Sequence, residues 1–173
     1  MPVLHSASRT CLLRADLSTL LSLIVPTFRE RANIAPLVQR LDAALAGVDY
    51  EVVIMDDNSQ DGTEELMAEL SGRYPVRLVV RKDKRGLASA VIDGFSEARG
   101  GIVGVMDADL QHPPEVVPSL LRAIQSGADT AIGSRYVKGG GCEGWGLLRR
   151  IMSRGAGFLA HLFLPSTRGI ADP

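Results

Sequence analysis

Short apolar runs alternate along the chain with stretches whose apolar residues recur at helical spacing, and this alternation constrains the fold more than any other feature. The runs occupy 21–25, 51–55, 76–80, 102–106 and 130–133. Between the first two, Ile34, Leu37, Val38, Leu41, Ala44 and Leu45 share one helical face, with Asn33 placed as N-cap and Gly47 as stop. Leu87, Ala90, Val91, Phe95 and Ala98 repeat the pattern before Gly100, and Val116, Val117, Leu120, Leu121 and Ile124 repeat it before Gly127. A weaker helix is expected over 63–70. Strand, helix and strand with short connections imply βαβ units. The expected class is therefore α/β, a mostly parallel sheet with helices on both faces.

The chain's 173 residues suffice for one domain with a real core, and 46% hydrophobic against 23% charged residues excludes a disordered chain. Nineteen basic and 20 acidic residues leave a net charge of -1, so no global field exists to hold nucleic acid. Charge-based recognition must be local. Cys11 and Cys142 are too few for a disulfide scaffold or a Cys-rich zinc site, so a reducing, cytoplasmic compartment is the default. No stretch approaches the ~20 apolar residues that cross a bilayer as a helix. The run at 20–25 is bounded by Asp16 and Pro26 and lacks a small-residue cleavage site, so it reads as a strand rather than a leader. Residues 1–19 show neither period and are expected to form an irregular extension, with 20–173 as a single domain.

In parallel α/β sheets, ligands bind outside the carboxyl ends of the strands. The loops to inspect are thus 26–33, 56–62, 81–86, 107–114 and 134–144. The turn after the first run, Pro26-Thr27-Phe28-Arg29-Glu30-Arg31-Ala32-Asn33, contains no glycine. That excludes both G-x-G-x-x-G and the P-loop, so a phosphate-bearing ligand would need a metal ion or basic side chains.

The fourth run leads straight into Asp107-Ala108-Asp109-Leu110-Gln111-His112. Residues two apart in extended chain point the same way, so Asp107 and Asp109 can offer oxygens to one hard divalent cation such as Mg²⁺ or Mn²⁺. Twelve aspartates would place about one Asp-x-Asp pair in the chain by chance. Position makes this pair informative, because it ends an apolar strand at the ligand edge. Asp56-Asp57-Asn58-Ser59 ends the second run in the same way and reads either as a turn or as part of a carboxylate-rich rim. Asp61-Gly62-Thr63 reads as the opening of the next helix. Arg135, Lys138, Arg149, Arg150 and Arg154, spread among glycines 139, 140, 141 and 144, read either as phosphate-binding groups or as a solvated helix face. His112 is expected to set a turn with Pro113 and Pro114, His161 to be structural, and Cys142 has no argued partner.

Taken in order, Ile24-Val25-Pro26-Thr27-Phe28-Arg29-Glu30, Asp56-Asp57-Asn58-Ser59-Gln60-Asp61-Gly62-Thr63, Gly86-Leu87-Ala88-Ser89-Ala90, Met106-Asp107-Ala108-Asp109-Leu110-Gln111-His112-Pro113-Pro114-Glu115, Gly133-Ser134-Arg135-Tyr136 and Arg149-Arg150-Ile151-Met152-Ser153-Arg154-Gly155-Ala156 form a specific set. With them the chain resembles the family 2 glycosyltransferases of GT-A (Rossmann-like) fold, and most closely their polyprenol-phosphate (dolichol-phosphate) mannosyltransferases. The resemblance runs from about residue 21 to 173.

It implies metal-dependent, inverting transfer of a hexose, mannose from GDP-mannose in the leading case, to the phosphate of a polyprenol (dolichyl) phosphate at a membrane surface. Pro26, Phe28, Glu30, Asp57, Asp107, Ala108, Asp109 and Gln111 would bind the nucleotide sugar. Asp107, Asp109 and Gln111 would hold Mg²⁺ or Mn²⁺, and Arg135, Arg149 and Ser153 would receive the acceptor phosphate. Asp109, Arg135 and Arg149 would be the catalytic residues. The protein would be peripheral to the membrane face bearing the lipid. The alternatives are another donor or acceptor, such as UDP-glucose or a polysaccharide, and an inactive nucleotide-sugar-binding fragment. The chain departs from the family in carrying Phe28-Arg29 where Tyr-Asn is common, in its first eighteen or so residues, and in stopping at Ala171-Asp172-Pro173, where relatives continue. It is expected to be truncated.

Overall fold

A computed structural model describes residues 20–134, together with Gly155 and Phe163. The chain divides into two compact units, Met1–Ala131 and Ile132–Pro173. Every element below lies in the first.

Four of the five expected runs become strands of one parallel sheet: β1 (Leu21–Thr27), β2 (Tyr50–Asp56), β3 (Val76–Val80) and β4 (Ile102–Val105), in the spatial order β3-β2-β1-β4. The helices α1 (Arg31–Ala44), α2 (Thr63–Ser71), α3 (Leu87–Glu97) and α4 (Val117–Gln125) follow β1, β2, β3 and β4 in turn, the last after a 3₁₀ turn at Pro114–Val116. The expected run at 130–133 is not a strand. Among the described residues, 130–134 carry neither helix nor ladder, and Thr130 and Ile132 are exposed. An isolated apolar run of four residues becomes a strand only where a neighbouring edge pairs with it.

The alternation along β1 and β2 divides the interior into two clusters. Leu21, Leu23, Val25, Val52 and Ile54 pack against Ile34, Leu37, Val38 and Leu41 of α1, Met67 and Leu70 of α2, and Val117 and Leu121 of α4. Ile24, Val53 and Met55 face the other way and meet Ala90 of α3. Helices therefore cover both faces, as expected for a sheet of near-continuous apolar strands. Toward the amino ends of the strands, buried Glu51 accepts hydrogen bonds from the Ser22 hydroxyl (2.6 Å), the Arg77 guanidinium (3.1 Å) and the Arg99 amide (2.9 Å), which satisfies a charge placed on the sheet's α3 side.

Helix α1 starts earlier than expected. Asn33 lies inside it, and no side chain of its own sequence caps the first turn. The Arg31 amide of that turn instead donates to Asp61 (3.4 Å), and just ahead of the helix the Arg29 amide donates to Ser59 (2.8 Å), both from the loop after β2. Tertiary partners thus do the work that the sequence assigned to Asn33. Asp61 also opens α2, accepting from the Thr63 amide (3.2 Å) and hydroxyl (2.6 Å), as its turn chemistry foretold.

Candidate functional site

Strand order reverses at β1: the chain moves outward through β2 and β3, then returns to place β4 on β1's other side. A crevice outside the carboxyl ends of β1 and β4 follows from that topology. The loop after β1 brings Phe28, Arg29 and Glu30 to it, and the turn after β4 brings Asp107, Ala108, Asp109 and Gln111.

Strand β4 ends at Val105, so the pair of aspartates sits on a turn rather than on extended chain. The strand-period reason for their common direction is therefore corrected. On that turn Ala108 is buried in the main core, while Asp107 and Asp109 on either side of it remain accessible. The Gln111 amide donates to Asp109 Oδ1 (2.9 Å), and Leu110, packed on the core, adopts a left-handed φ of 60°. That conformation is costly for leucine, by roughly 1–2 kcal/mol, and is held here by the packing of its partly buried side chain on the core. His112 Nδ1 lies 4.0 Å from Asp107 Oδ2. Pro114 opens the 3₁₀ turn, in line with the turn-setting role expected of His112 and its two prolines.

Backbone strain gathers at this edge. The non-glycine residues with positive φ among those described are Arg29, Asn58, Gln60 and Leu110, all in loops that leave the carboxyl ends of β1, β2 and β4. Such outliers mark places where surrounding structure fixes an unfavourable backbone, which is common at ligand sites.

The Phe28 ring is half-exposed, and the guanidinium carbons of Arg29 and Arg85 each lie 5.2 Å from its centroid. Pro26 is the penultimate residue of β1, and Glu30 accepts from the Asn33 side-chain amide. These residues can offer an aromatic face, cationic groups and an acceptor to a planar polar ligand.

The second acidic pair does not form an open rim. Asp56 is buried and accepts from Thr27 Oγ1 (3.2 Å), from the Ser59 hydroxyl and from the Ser59 amide (2.8 Å). Asp57 is buried too, ion-paired with Arg81, and accepts from the Gly86 amide (2.7 Å). The rim reading is thus corrected: internal donors satisfy both buried carboxylates. Arg81 itself was passed over in the sequence, although it directly follows an apolar strand at the ligand edge, the same signal that singled out Asp107.

Glu115, at the end of the same motif, receives two hydrogen bonds from Arg40 of α1, Nε to Oε1 (2.8 Å) and Nη2 to Oε2 (2.7 Å). The Arg40 hydrogen bond lowers the Glu115 carboxyl from 4.5 to about 2. The pair ties the turn after β4 to α1.

Among the described residues, no group of three or more His, Cys, Asp and Glu is placed to hold a metal ion. A cation at Asp107 and Asp109 would draw its remaining ligands from water and from a ligand's own oxygens. Arg135, Arg149 and Ser153, with Lys138, Arg150, Arg154, Cys142 and His161, lie outside the described residues.

Residues 22–171 match the family described as Glycosyl transferase family 2. The chain belongs to that family. It is 53% identical over 152 residues to the dolichol-phosphate mannosyltransferase of Pyrococcus furiosus, an alignment covering 88% of this chain and 43% of that protein. Against the dolichol-phosphate mannosyltransferase of Mycosarcoma maydis the identity is 49% over 148 residues, covering 81% and 50%. The chain thus spans about half the length of these curated relatives. Among solved structures, a mannosyltransferase from Pyrobaculum calidifontis in complex with GDP-Man and Mn²⁺ superposes with a TM-score of 0.52 at 30% identity, covering 63% of this chain and 32% of that one. Glucosyl-3-phosphoglycerate synthase from Mycobacterium tuberculosis gives a TM-score of 0.62 at 21% identity, covering 90% and 54%, and shares the fold. The GT-A architecture expected from the motifs is the one found.

Proposed function

We propose that this chain carries the donor side of a divalent-metal-dependent transferase that moves mannose from GDP-mannose, with inversion, to the phosphate of a polyprenol (dolichyl) phosphate. The observation that carries this reading is the juxtaposition of accessible Asp107 and Asp109 after β4 with exposed Phe28 after β1, on the two strands that flank the reversal of strand order. In its support, relatives at 45–53% identity bear the name dolichol-phosphate mannosyltransferase, and the Pyrobaculum neighbour was solved with GDP-Man and Mn²⁺.

In this reading Phe28 stacks on the base, with Pro26, Glu30 and Asp57 around the nucleoside. Asp107, Asp109 and Gln111 lie along the diphosphate, where Ala108 can contribute only backbone because its side chain is in the core. The all-oxygen donor set suits Mg²⁺ or Mn²⁺. Having two carboxylates rather than three or four favours an ion that arrives with the nucleotide. When bound, such an ion supplies Lewis-acid stabilisation of the departing diphosphate. The acceptor brings its own nucleophile: a phosphate monoester has a second pKa near ~6, so its oxygen needs no protein base at neutral pH. Arg135, Arg149 and Ser153 are proposed to hold that phosphate, the arginines by bidentate contacts. No helix among the described residues is long and apolar enough to cross a membrane. The proposed working position is peripheral, on the membrane face that bears the lipid.

Calorimetric titration with GDP-mannose, with and without Mn²⁺, followed by radiolabelled transfer to dolichyl phosphate, tests the proposal. Metal-dependent binding and labelled lipid are expected. A preference for UDP-glucose would overturn the donor, and label passing to a polysaccharide primer would overturn the acceptor. Binding without transfer to any acceptor would reduce the chain to a nucleotide-sugar-binding unit.

A further inference from the structure

We propose, on the nucleotide reading given above, that Arg81 is a positioning residue for the nucleoside side of the site. It directly follows β3, its side chain is 4% exposed, and each of its guanidinium nitrogens has a different partner. Nη1 pairs with Asp57 Oδ1, Nε donates to Asp93 Oδ2 of α3 (3.0 Å), and Nη2 donates to Ser89 Oγ of α3 (2.7 Å). The other Asp57 oxygen accepts the Gly86 amide (2.7 Å), at the residue where the loop after β3 turns into α3 with a φ of 120°. Arg85, next in chain, lies over Phe28. One buried cation thus fixes the carboxylate after β2, the end of the loop after β3 and the first turns of α3. Through Arg85, that loop reaches the aromatic residue after β1.

Stability alone accounts poorly for this cluster. A buried ion pair is often no more stabilising than apolar residues of the same volume, because desolvation offsets the attraction. What the planar fork supplies is geometry, since it can hold three acceptors at fixed angles where an ammonium cannot. The cluster lies at the ligand edge of the sheet, on the Phe28 side rather than on the aspartate turn, so its effect should fall on base recognition and spare the diphosphate.

The test is calorimetry on the full chain in saturating Mn²⁺ with two probes, GDP and inorganic pyrophosphate, comparing wild type with Arg81→Lys. Lysine keeps the charge and loses the fork, so GDP should bind about tenfold more weakly while pyrophosphate stays within about twofold. Asp93→Asn, at a partly exposed position away from Phe28, is the companion variant should Arg81→Lys fail to fold. It should weaken GDP binding selectively, by a smaller factor. Unchanged GDP affinity in the folded variants, or equal losses for both probes, would overturn the role of Arg81 and leave the nucleotide reading standing. Wild-type protein that binds pyrophosphate but not GDP would overturn both.

Discussion

Arg40 and Glu115 meet as a fork on a carboxylate, with both oxygens of Glu115 engaged at 2.7–2.8 Å from two nitrogens of Arg40. The pair joins α1 to the turn that leads from Asp107 into α4, and it is the reason the Glu115 carboxyl is lowered to about 2. Because the folded value lies below the ordinary 4.5, the pair's contribution is complete above about 4.5 and is lost as pH falls through about 2. Side-chain carboxyl NMR of wild type should show Glu115 titrating near 2. In Arg40→Met the same resonance should return to near 4.5, and that part of the acid dependence of melting should vanish. An unmoved titration would show that the fork does not persist in solution.

Gly94 brings α3 close to the sheet. A Cβ there would lie inside van der Waals contact of Ile24 Cγ2 and 3.3 Å from Met55 Cγ. Helix propensity alone would favour Gly94→Ala by about 1 kcal/mol. Overpacking against two buried side chains opposes it by roughly 1–3 kcal/mol, so net destabilisation is expected in urea unfolding. Ile24→Ala removes the crowded methyl, and the double variant should therefore cost less than the sum of the two singles. A stabilised Gly94→Ala would mean that α3 rides higher on the sheet.

Asp56 and Asp57 are neighbours with different partners, and Asp56 holds together the loop after β2. Replacing it with alanine strands the Ser59 amide and removes the acceptor for two hydroxyls, in a loop whose Ser59 also holds the Arg29 amide. A buried donor left unsatisfied costs about 1–3 kcal/mol. Asp56→Ala should lose about that much in chemical denaturation and loosen the Phe28 loop, visible as faster amide exchange at Arg29. Unchanged exchange at Arg29 would separate the two loops.

The strands and helices were legible because their signals are local. An apolar run such as 51–55 fits a doubly covered strand, and Ile34, Leu37, Val38 and Leu41 fit one helical face whatever surrounds them. The turn after β4 stood out by position, since two carboxylates follow an apolar run at the ligand edge of the sheet, although β4 itself is half-exposed at Val103 and Val105. What sequence could not supply was pairing across the chain. Nothing near Asp57 announces that Arg81, 24 residues on, neutralises it, so the pair of carboxylates after β2 read as an open rim. The start of α1 was misplaced for the same reason, because Asp61 serves its first turn from 30 residues away. The run at 130–133 has strand-like composition, but composition cannot provide a partner edge.

Asp109 is the residue on which the proposed chemistry most directly depends, and its surroundings make it separable from folding. It is exposed, and its one hydrogen bond among those described holds the Gln111 amide within the same turn. Asp109→Ala should therefore leave the thermal melt of the metal-free protein nearly unchanged, in contrast to Asp56→Ala. It should also remove one of the two open carboxylates, and a hard cation held by a single monodentate group competes poorly with water. GDP binding in Mn²⁺ should then weaken by at least about tenfold, and the increase in affinity that Mn²⁺ gives the wild type should disappear. Asp109→Asn keeps the oxygen that accepts from Gln111 but not the charge. It should resemble the alanine variant in metal dependence while retaining the turn. If instead Mn²⁺ still strengthens GDP binding in both variants as it does in wild type, the ion is held elsewhere and Asp109 is a turn residue.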